Sequence, residues 1–165
     1  MNITVLYNTS ESDEPSEQDT IKSAKDVAEA LGATLVAIRK QDAGDRSFFE
    51  KLNTDLVFNL IEWTGFDAKY AIRVVDILEE LNIPYTGSRK LGHILGNDKI
   101  LMKQKMVDLG IPTPKYQIYD KEFIANNLQF PVIAKLAQEH CSIGLDESNI
   151  VFNGDGFSGI WIFKT

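Results

Sequence analysis

A single cysteine, Cys141, occurs in the 165 residues, so no internal disulfide can form and the chain suits a reducing compartment. Histidine is nearly as scarce. His93 and His140 are far apart and have no other metal-ligand spacing around them, which argues against a histidine-built metal centre. Cys141 has no evident basic activator beyond its neighbour His140, which makes a thiolate nucleophile a poor reading. No apolar run approaches the roughly 20 residues that cross a bilayer. The start, Met1-Asn2-Ile3-Thr4-Val5-Leu6, lacks a basic segment and a small-residue cleavage site, so no secretory signal is expected and the expected compartment is the cytoplasm. Clustered Lys and Arg are also missing. The net charge is −7, and an acidic chain without a basic block is a poor general partner for nucleic acid. No Gly-x-Gly-x-x-Gly follows the first apolar run and no Walker A loop occurs, which counts against the usual dinucleotide and P-loop sites.

What is present is a soluble-protein composition, 44% hydrophobic and 25% charged, with enough apolar residues for a real core. Much of the negative charge is local: Glu11, Asp13, Glu14, Glu17 and Asp19 fall within the first twenty residues, where no Lys or Arg occurs. That run reads as a solvated loop and first helical turn; the alternative is that its carboxylates grip a substrate amine.

Ile3–Tyr7, Thr34–Ile38 and Asp55–Leu60 are short apolar or β-branched runs and read as buried strands. Between the first two, Ser16 with Asp19 three positions on signals a helix start. Ala24, Val27, Ala28 and Leu31 mark one helical face, ended at Gly32. A second helix is expected from Ala68 to Leu81, with Ile72, Val75, Leu78 and Leu81 as its buried stripe. Strands of this kind separated by helices predict an α/β fold with a parallel sheet covered on both faces.

Ile83–Ser88 reads as a strand or extended crossing ending in a turn, followed by a short helix over 89–95. Asn97 is expected to cap a helix from Asp98 to Leu109, stopped by Gly110 and the Pro112/Pro114 pair. Tyr116–Tyr119 and Pro131–Ala137 read as strands with a helix over Lys121–Leu128 between them, and Ile160–Phe163 as a last short strand. An exposed edge on that strand would allow a homodimer to form by strand pairing. The pattern becomes sparser and richer in Lys near residue 95, which places a domain boundary there: residues 1–94 and 95–165.

Three features could carry chemistry. Lys99 and Lys103 are one helical turn apart, so their ammonium groups share a face that either approaches a polyphosphate or forms a solvated stripe. Lys135 ends an apolar run, Phe130-Pro131-Val132-Ile133-Ala134-Lys135, where its charge must reach a ligand anion or snorkel to water. In Gln138–Gly144, small residues at Cys141, Ser142 and Gly144 let backbone N–H groups approach an oxyanion.

In order, Asp55–Leu60, Leu81–Ser88, Asn97-Asp98-Lys99, Leu109–Pro114, Phe130–Lys135 and Ser142-Ile143-Gly144 resemble the D-alanine–D-alanine ligase family of the ATP-grasp superfamily, over about residues 3–152. The resemblance implies a Rossmann-like pre-ATP-grasp domain, residues 1–94, followed by a partial ATP-grasp subdomain, residues 95–165. It implies ATP and magnesium as cofactors of the full-length family, which works in peptidoglycan biosynthesis by turning a carboxylate into an acyl phosphate that an amine attacks. It further implies that Lys99 and Lys135 bind nucleotide, and that Ser142 and Gly144 belong to a small loop over the transferred phosphate.

The departures are informative. Asn8–Ser12 stands where the family has paired glycines and then Glu and Ser; Glu62–Gly65 stands near its His-Gly pair; Leu136 replaces a common proline and Cys141 a common serine. These point to a different small-molecule amino acid or carboxylate substrate. The family's adenine hinge, catalytic arginine and magnesium ligands do not follow within the chain, so an inactive N-terminal fragment is expected. A non-catalytic α/β binding module and a small nucleotide-binding protein are the alternatives.

Overall fold

The computed structural model describes residues 1–10, 15–63, 65–118, 129–138 and 145–152. The chain divides into two units, Met1–His93 and Ile94–Thr165.

In the first unit, strands β1 (Ile3–Asn8), β2 (Thr34–Ile38) and β3 (Leu56–Leu60) form a parallel sheet in the order β2-β1-β3. Tyr85 extends it by one parallel bridge to Val57, with Val57 N–H bonded to Pro84 O and Thr86 N–H to Val57 O. The Ile83–Ser88 crossing is therefore extended but pairs at one residue only. Helix α1 (Pro15–Leu31) and helix α3 (Ala68–Glu80) supply the two covers. Side chains alternate along each strand, so Val5 packs with Ala24 and Ala28 of α1 alongside Leu35 and Phe58. Leu6, Ile38 and Val57 point the other way, into a cluster with Ala71, Val74, Ile77 and Leu78 of α3. Sandwiching between two helical layers explains why these strands read as apolar runs rather than as alternating ones.

Both helices end through left-handed residues. Gly32 has φ 59° after α1, and Ala33 N–H bonds back to Ala28 O at 2.8 Å. Asn82 takes the same role after α3, with φ 55° and an Ile83 N–H to Leu78 O bond of 2.9 Å. Leu31, expected on the buried face of α1, is 42% exposed at the last position of the helix. On α3 the buried surface is wider than the expected stripe: Ala71, Val74 and Ile77 are buried, whereas Ile72 and Leu81 are only half-buried. An element without a sequence signal, helix α2 (Arg46–Glu50), is capped by the Asp45 carboxylate accepting from Ser47 N–H, and it plugs the core with Phe49.

The second unit is sparser. Helix α4 (Lys90–Asn97) begins in the first unit and ends in the second; helix α5 spans Lys99–Asp108, and β4 (Val132–Ile133) pairs antiparallel with β5 (Ile150–Val151). The cap of α5 is Asp98 rather than Asn97. Asp98 has the extended backbone (φ −128°, ψ 104°), and its Oδ1 accepts from Ile100 and Leu101 N–H. Gly110, at φ 68°, ends the helix as expected. The expected strand Pro131–Ala137 shrinks to two residues because β5 offers only two partners; beyond it Ala134 N–H bonds to Asn149 O. Residues 116–118 are not a strand, having no ladder partner among the described residues. The expected helix Lys121–Leu128 and strand Ile160–Phe163 lie outside the described residues.

Candidate functional site

Lys99 is the first residue of α5, and its N–H is one of the amides that a helix start leaves without an internal partner. It donates to Ala137 O at 3.0 Å. Gln138 Nε2 donates to the other oxygen of Asp98, Oδ2, at 3.4 Å. These two bonds join the start of α5 to the segment leaving β4, the segment that carries Lys135. The two lysines singled out in the sequence are thus on chain segments bonded to each other, although nearly 40 residues separate them. Lys135 is half-buried beside buried Ala134. Ser142 and Gly144 lie outside the described residues.

Lys103, one turn along α5, is half-buried. Its Nζ donates to Thr113 Oγ1 at 2.7 Å and to Pro114 O at 3.2 Å, and it stands 5.7 Å from the centre of the Tyr116 ring. Burial lowers its proton affinity below that of an ordinary lysine, and the positive charge of Lys135 lowers it further. Among the described residues, no carboxylate forms an ion pair with Lys103 or Lys135. With no described carboxylate paired to either lysine, this part of the second unit carries a local excess of positive charge, suited to an anion with several oxygens.

The first unit gathers polar groups of another kind at the carboxyl ends of its strands, the place where open parallel sheets take ligands. Glu17 in the first turns of α1 accepts from the Thr9 hydroxyl (2.6 Å), from Ser10 N–H (2.7 Å) and from the Ser10 hydroxyl. Asn8 Oδ1 accepts from Glu62 N–H at 2.7 Å, and Lys40 pairs with Asp67 at 2.5 Å. Of the acidic run, Glu17 is therefore a clasp between the end of β1 and α1. Lys40 and Asp67 had no motif around them in the sequence; the signal that could have found them is position, each lying a few residues past a strand's end.

A separate open hollow in the first unit is lined by Glu79, Asn82, Tyr85 and Arg89, among others. There the Tyr85 hydroxyl donates to Glu79 at 2.6 Å. Desolvation, then the acceptor Glu79, pushes the Tyr85 phenol up to about 12. That leaves it a neutral donor rather than a reactive phenolate. No group of three or more His, Cys, Asp or Glu side chains among the described residues could hold a metal ion.

An α/β chain with this sheet has solved counterparts. The crystal structure of D-alanine–D-alanine ligase from Bacillus anthracis matches with a TM-score of 0.68 at 24% identity, over 94% of this chain and 51% of that one. The same enzyme complexed with ATP matches with a TM-score of 0.65 at 23% identity. These likenesses establish the fold. No family model matches the chain.

Sequence relatives carry the comparison further. The D-alanine–D-alanine ligase of Acinetobacter baumannii is 33% identical over 132 residues, 78% of this chain and 42% of that protein. The ligase of Pseudomonas entomophila is 35% identical over 136 residues, with 79% and 42% covered. Protein y4sG of Sinorhizobium fredii is 41% identical over 92 residues, 54% of this chain and 27% of its own length. The chain belongs to the D-alanine–D-alanine ligase family of ATP-grasp proteins, and it spans about two fifths of the length of the ligases it matches.

Proposed function

We propose that the second unit forms one side of an ATP site, with Lys99 and Lys135 directed at the phosphates, in a ligase that joins a small-molecule carboxylate to an amine. The observation that carries this is the bond from Lys99 N–H to Ala137 O, which joins the two lysine-bearing segments, with no described carboxylate paired to Lys135. Lysine serves here as a point charge on a phosphate, and triphosphate supplies the missing counter-charge. Ser142 and Gly144 add loop amides and a hydroxyl over the terminal phosphate. Magnesium is assigned to the nucleotide's own phosphates rather than to a protein cage.

The polar strand ends of the first unit are assigned to the substrates. Glu62, Trp63 and Gly65 at the end of β3, where D-alanine-specific relatives have a His-Gly pair, support an amino acid or carboxylate other than D-alanine. Activation of the carboxylate needs charge neutralisation around the transferred phosphoryl group from several donors at once, and the resemblance assigns only Lys99, Lys135, Ser142 and Gly144 to that task in this chain. The 165-residue chain alone is therefore assigned no turnover of nucleotide. The compartment is the cytoplasm. The partners are small molecules rather than nucleic acid, in keeping with a pI near 4.8, and no described helix is long and apolar enough to cross a membrane.

A coupled assay for ADP release tests the activity claim. With magnesium–ATP and a panel of amino acids, the 165-residue chain should release ADP no faster than buffer. Amino-acid-dependent turnover would show that these residues hold a complete catalytic site.

A further inference from the structure

From Arg73 to Lys90 the charged side chains are Arg73, Asp76, Glu79, Glu80, Arg89 and Lys90, and most of them pair. Lys90 Nζ meets Asp76 at 2.8 Å, and Glu80 is shared between Arg46 at 3.1 Å and Arg73 at 3.3 Å. Glu79 and Arg89 are left over. Neither forms an ion pair among the described residues, with each other or with a third group. The bond that Glu79 accepts comes from a neutral group, the Tyr85 hydroxyl, at 2.6 Å. Yet both residues line the same hollow, about 510 Å³ in volume, together with Leu78, Ile83 and Pro84. Small-molecule pockets run from roughly 300 to 1,000 Å³.

Local geometry opens this hollow. Asn82, at φ 55°, turns the chain out of α3, and Gly87, at φ 99°, turns it again before α4. Between the two turns Tyr85 makes its single bridge to Val57, and among the described residues no strand pairs beyond it. Tyr85 on Glu79 and Lys90 on Asp76 tie the 85–90 segment to α3, so the walls are held without the Arg89 charge. Burial and Glu79 keep the Tyr85 phenol protonated, while the positive charge of Arg89 opposes that rise.

We propose that the hollow is a binding site for a small zwitterion, an amino acid or a dipeptide, with its carboxylate on Arg89 and its ammonium on Glu79. Opposite charges that share a hollow without closing on each other are matched by a ligand that bears both. The guanidinium fork suits a carboxylate, and an ionised Glu79 has acceptor positions left after the Tyr85 bond. Leu78, Ile83 and Pro84 add apolar wall, which favours an aliphatic side chain over a polar one. The lining residues all belong to the first unit, so this site is independent of the nucleotide site on Lys99 and Lys135.

Amide NMR shifts of the 165-residue chain, titrated with four ligands, test the assignment. L-leucine and L-leucyl-L-leucine carry both charges; isopentylamine and 4-methylpentanoate each keep the aliphatic body and one charge. Either zwitterion should give saturable shifts over residues 79–89, and the tighter of the two shows whether amino acid or dipeptide is the better fit. Each single-charge analogue should bind at least about fivefold more weakly than the tighter zwitterion, the scale of a partly solvated charge contact. Arg89→Gln and Glu79→Gln should melt close to wild type and weaken that zwitterion about fivefold. Arg89→Gln should leave isopentylamine unaffected, and Glu79→Gln should leave 4-methylpentanoate unaffected or tighter. The absence of shifts over 79–89 with both zwitterions would overturn the proposal. So would a single-charge analogue that binds as tightly as the zwitterion, or wild-type affinity in either variant. The four-ligand comparison in wild type needs no substitution, so it decides the matter even if a variant does not fold.

Discussion

Lys135→Ala should weaken magnesium–ATP binding by at least about tenfold, with a melting temperature close to wild type. The affinity loss follows from removing one full charge from a region where no described carboxylate competes for it. A charge-assisted contact to phosphate contributes about 1.5–3 kcal/mol, roughly ten- to a hundredfold in affinity. Stability is spared because Lys135 is only half-buried and makes no ion pair among the described residues, so its removal leaves no described partner uncompensated. It also relieves the repulsion on Lys103, which works slightly in favour of the fold. The loss should shrink as salt is raised, since competing ions screen the wild-type site as well. Isothermal titration at two ionic strengths checks both statements. A variant that binds as tightly as wild type at low salt would mean that phosphate is held elsewhere.

Phe49→Ala should destabilise the first unit by about 3–5 kcal/mol, the cost of a large aromatic removed from a closed core. Phe49 is fully buried although it belongs to a helix of five residues. It meets Phe48 edge-on, with ring centres 5.2 Å apart and planes at 77°, and belongs to the cluster of Leu6, Ile38, Val57 and the inner face of α3. Those neighbours belong to different strands and a long helix, so collapse into the void is hindered and the cavity term persists. Urea unfolding followed by the fluorescence of buried Trp63, in the same cluster, reads the loss directly. A change below about 1 kcal/mol would mean that α2 is only loosely seated.

The first unit was readable because its elements each carry a single strong signal. Ile3–Tyr7, Thr34–Ile38 and Asp55–Leu60 are apolar runs of strand length, and the helix over 68–80 has a regular apolar period. Helix α2 escaped notice for the opposite reason: five residues are too few to show a period, and its anchor is a tertiary contact of Phe49. At the start of α5, Asn97 and Asp98 are adjacent residues of similar capping strength. Only the backbone angles choose between them, and the next residue's N–H, that of Lys99, is held by Ala137 O, a partner distant in sequence. Tyr116–Ile118 looked like a strand because its side chains favour one, but strand character needs a neighbour to pair with.

The candidate site was legible only in part. Lys99 and Lys135 stood out, one at a helix start and the other ending an apolar run, and their segments are joined in the structure. Lys103 was legible as a lysine one turn from Lys99 but not as a tether. Spacing along a helix does not reveal that Thr113 and Pro114 return to meet it. Lys40, Asp67 and the Glu17 clasp were hidden because their partners come from separate strand ends.

The backbone amide NMR shifts of the 165-residue chain, followed as magnesium–ATP is added, bear most directly on whether the two lysine segments make one anion site. Saturable shifts should concentrate on residues 98–103 and 134–138, and inorganic triphosphate should reproduce most of them. Shifts confined to the Glu79–Arg89 hollow, or none at saturating nucleotide, would contradict the assignment and leave the α/β fold without its phosphate site.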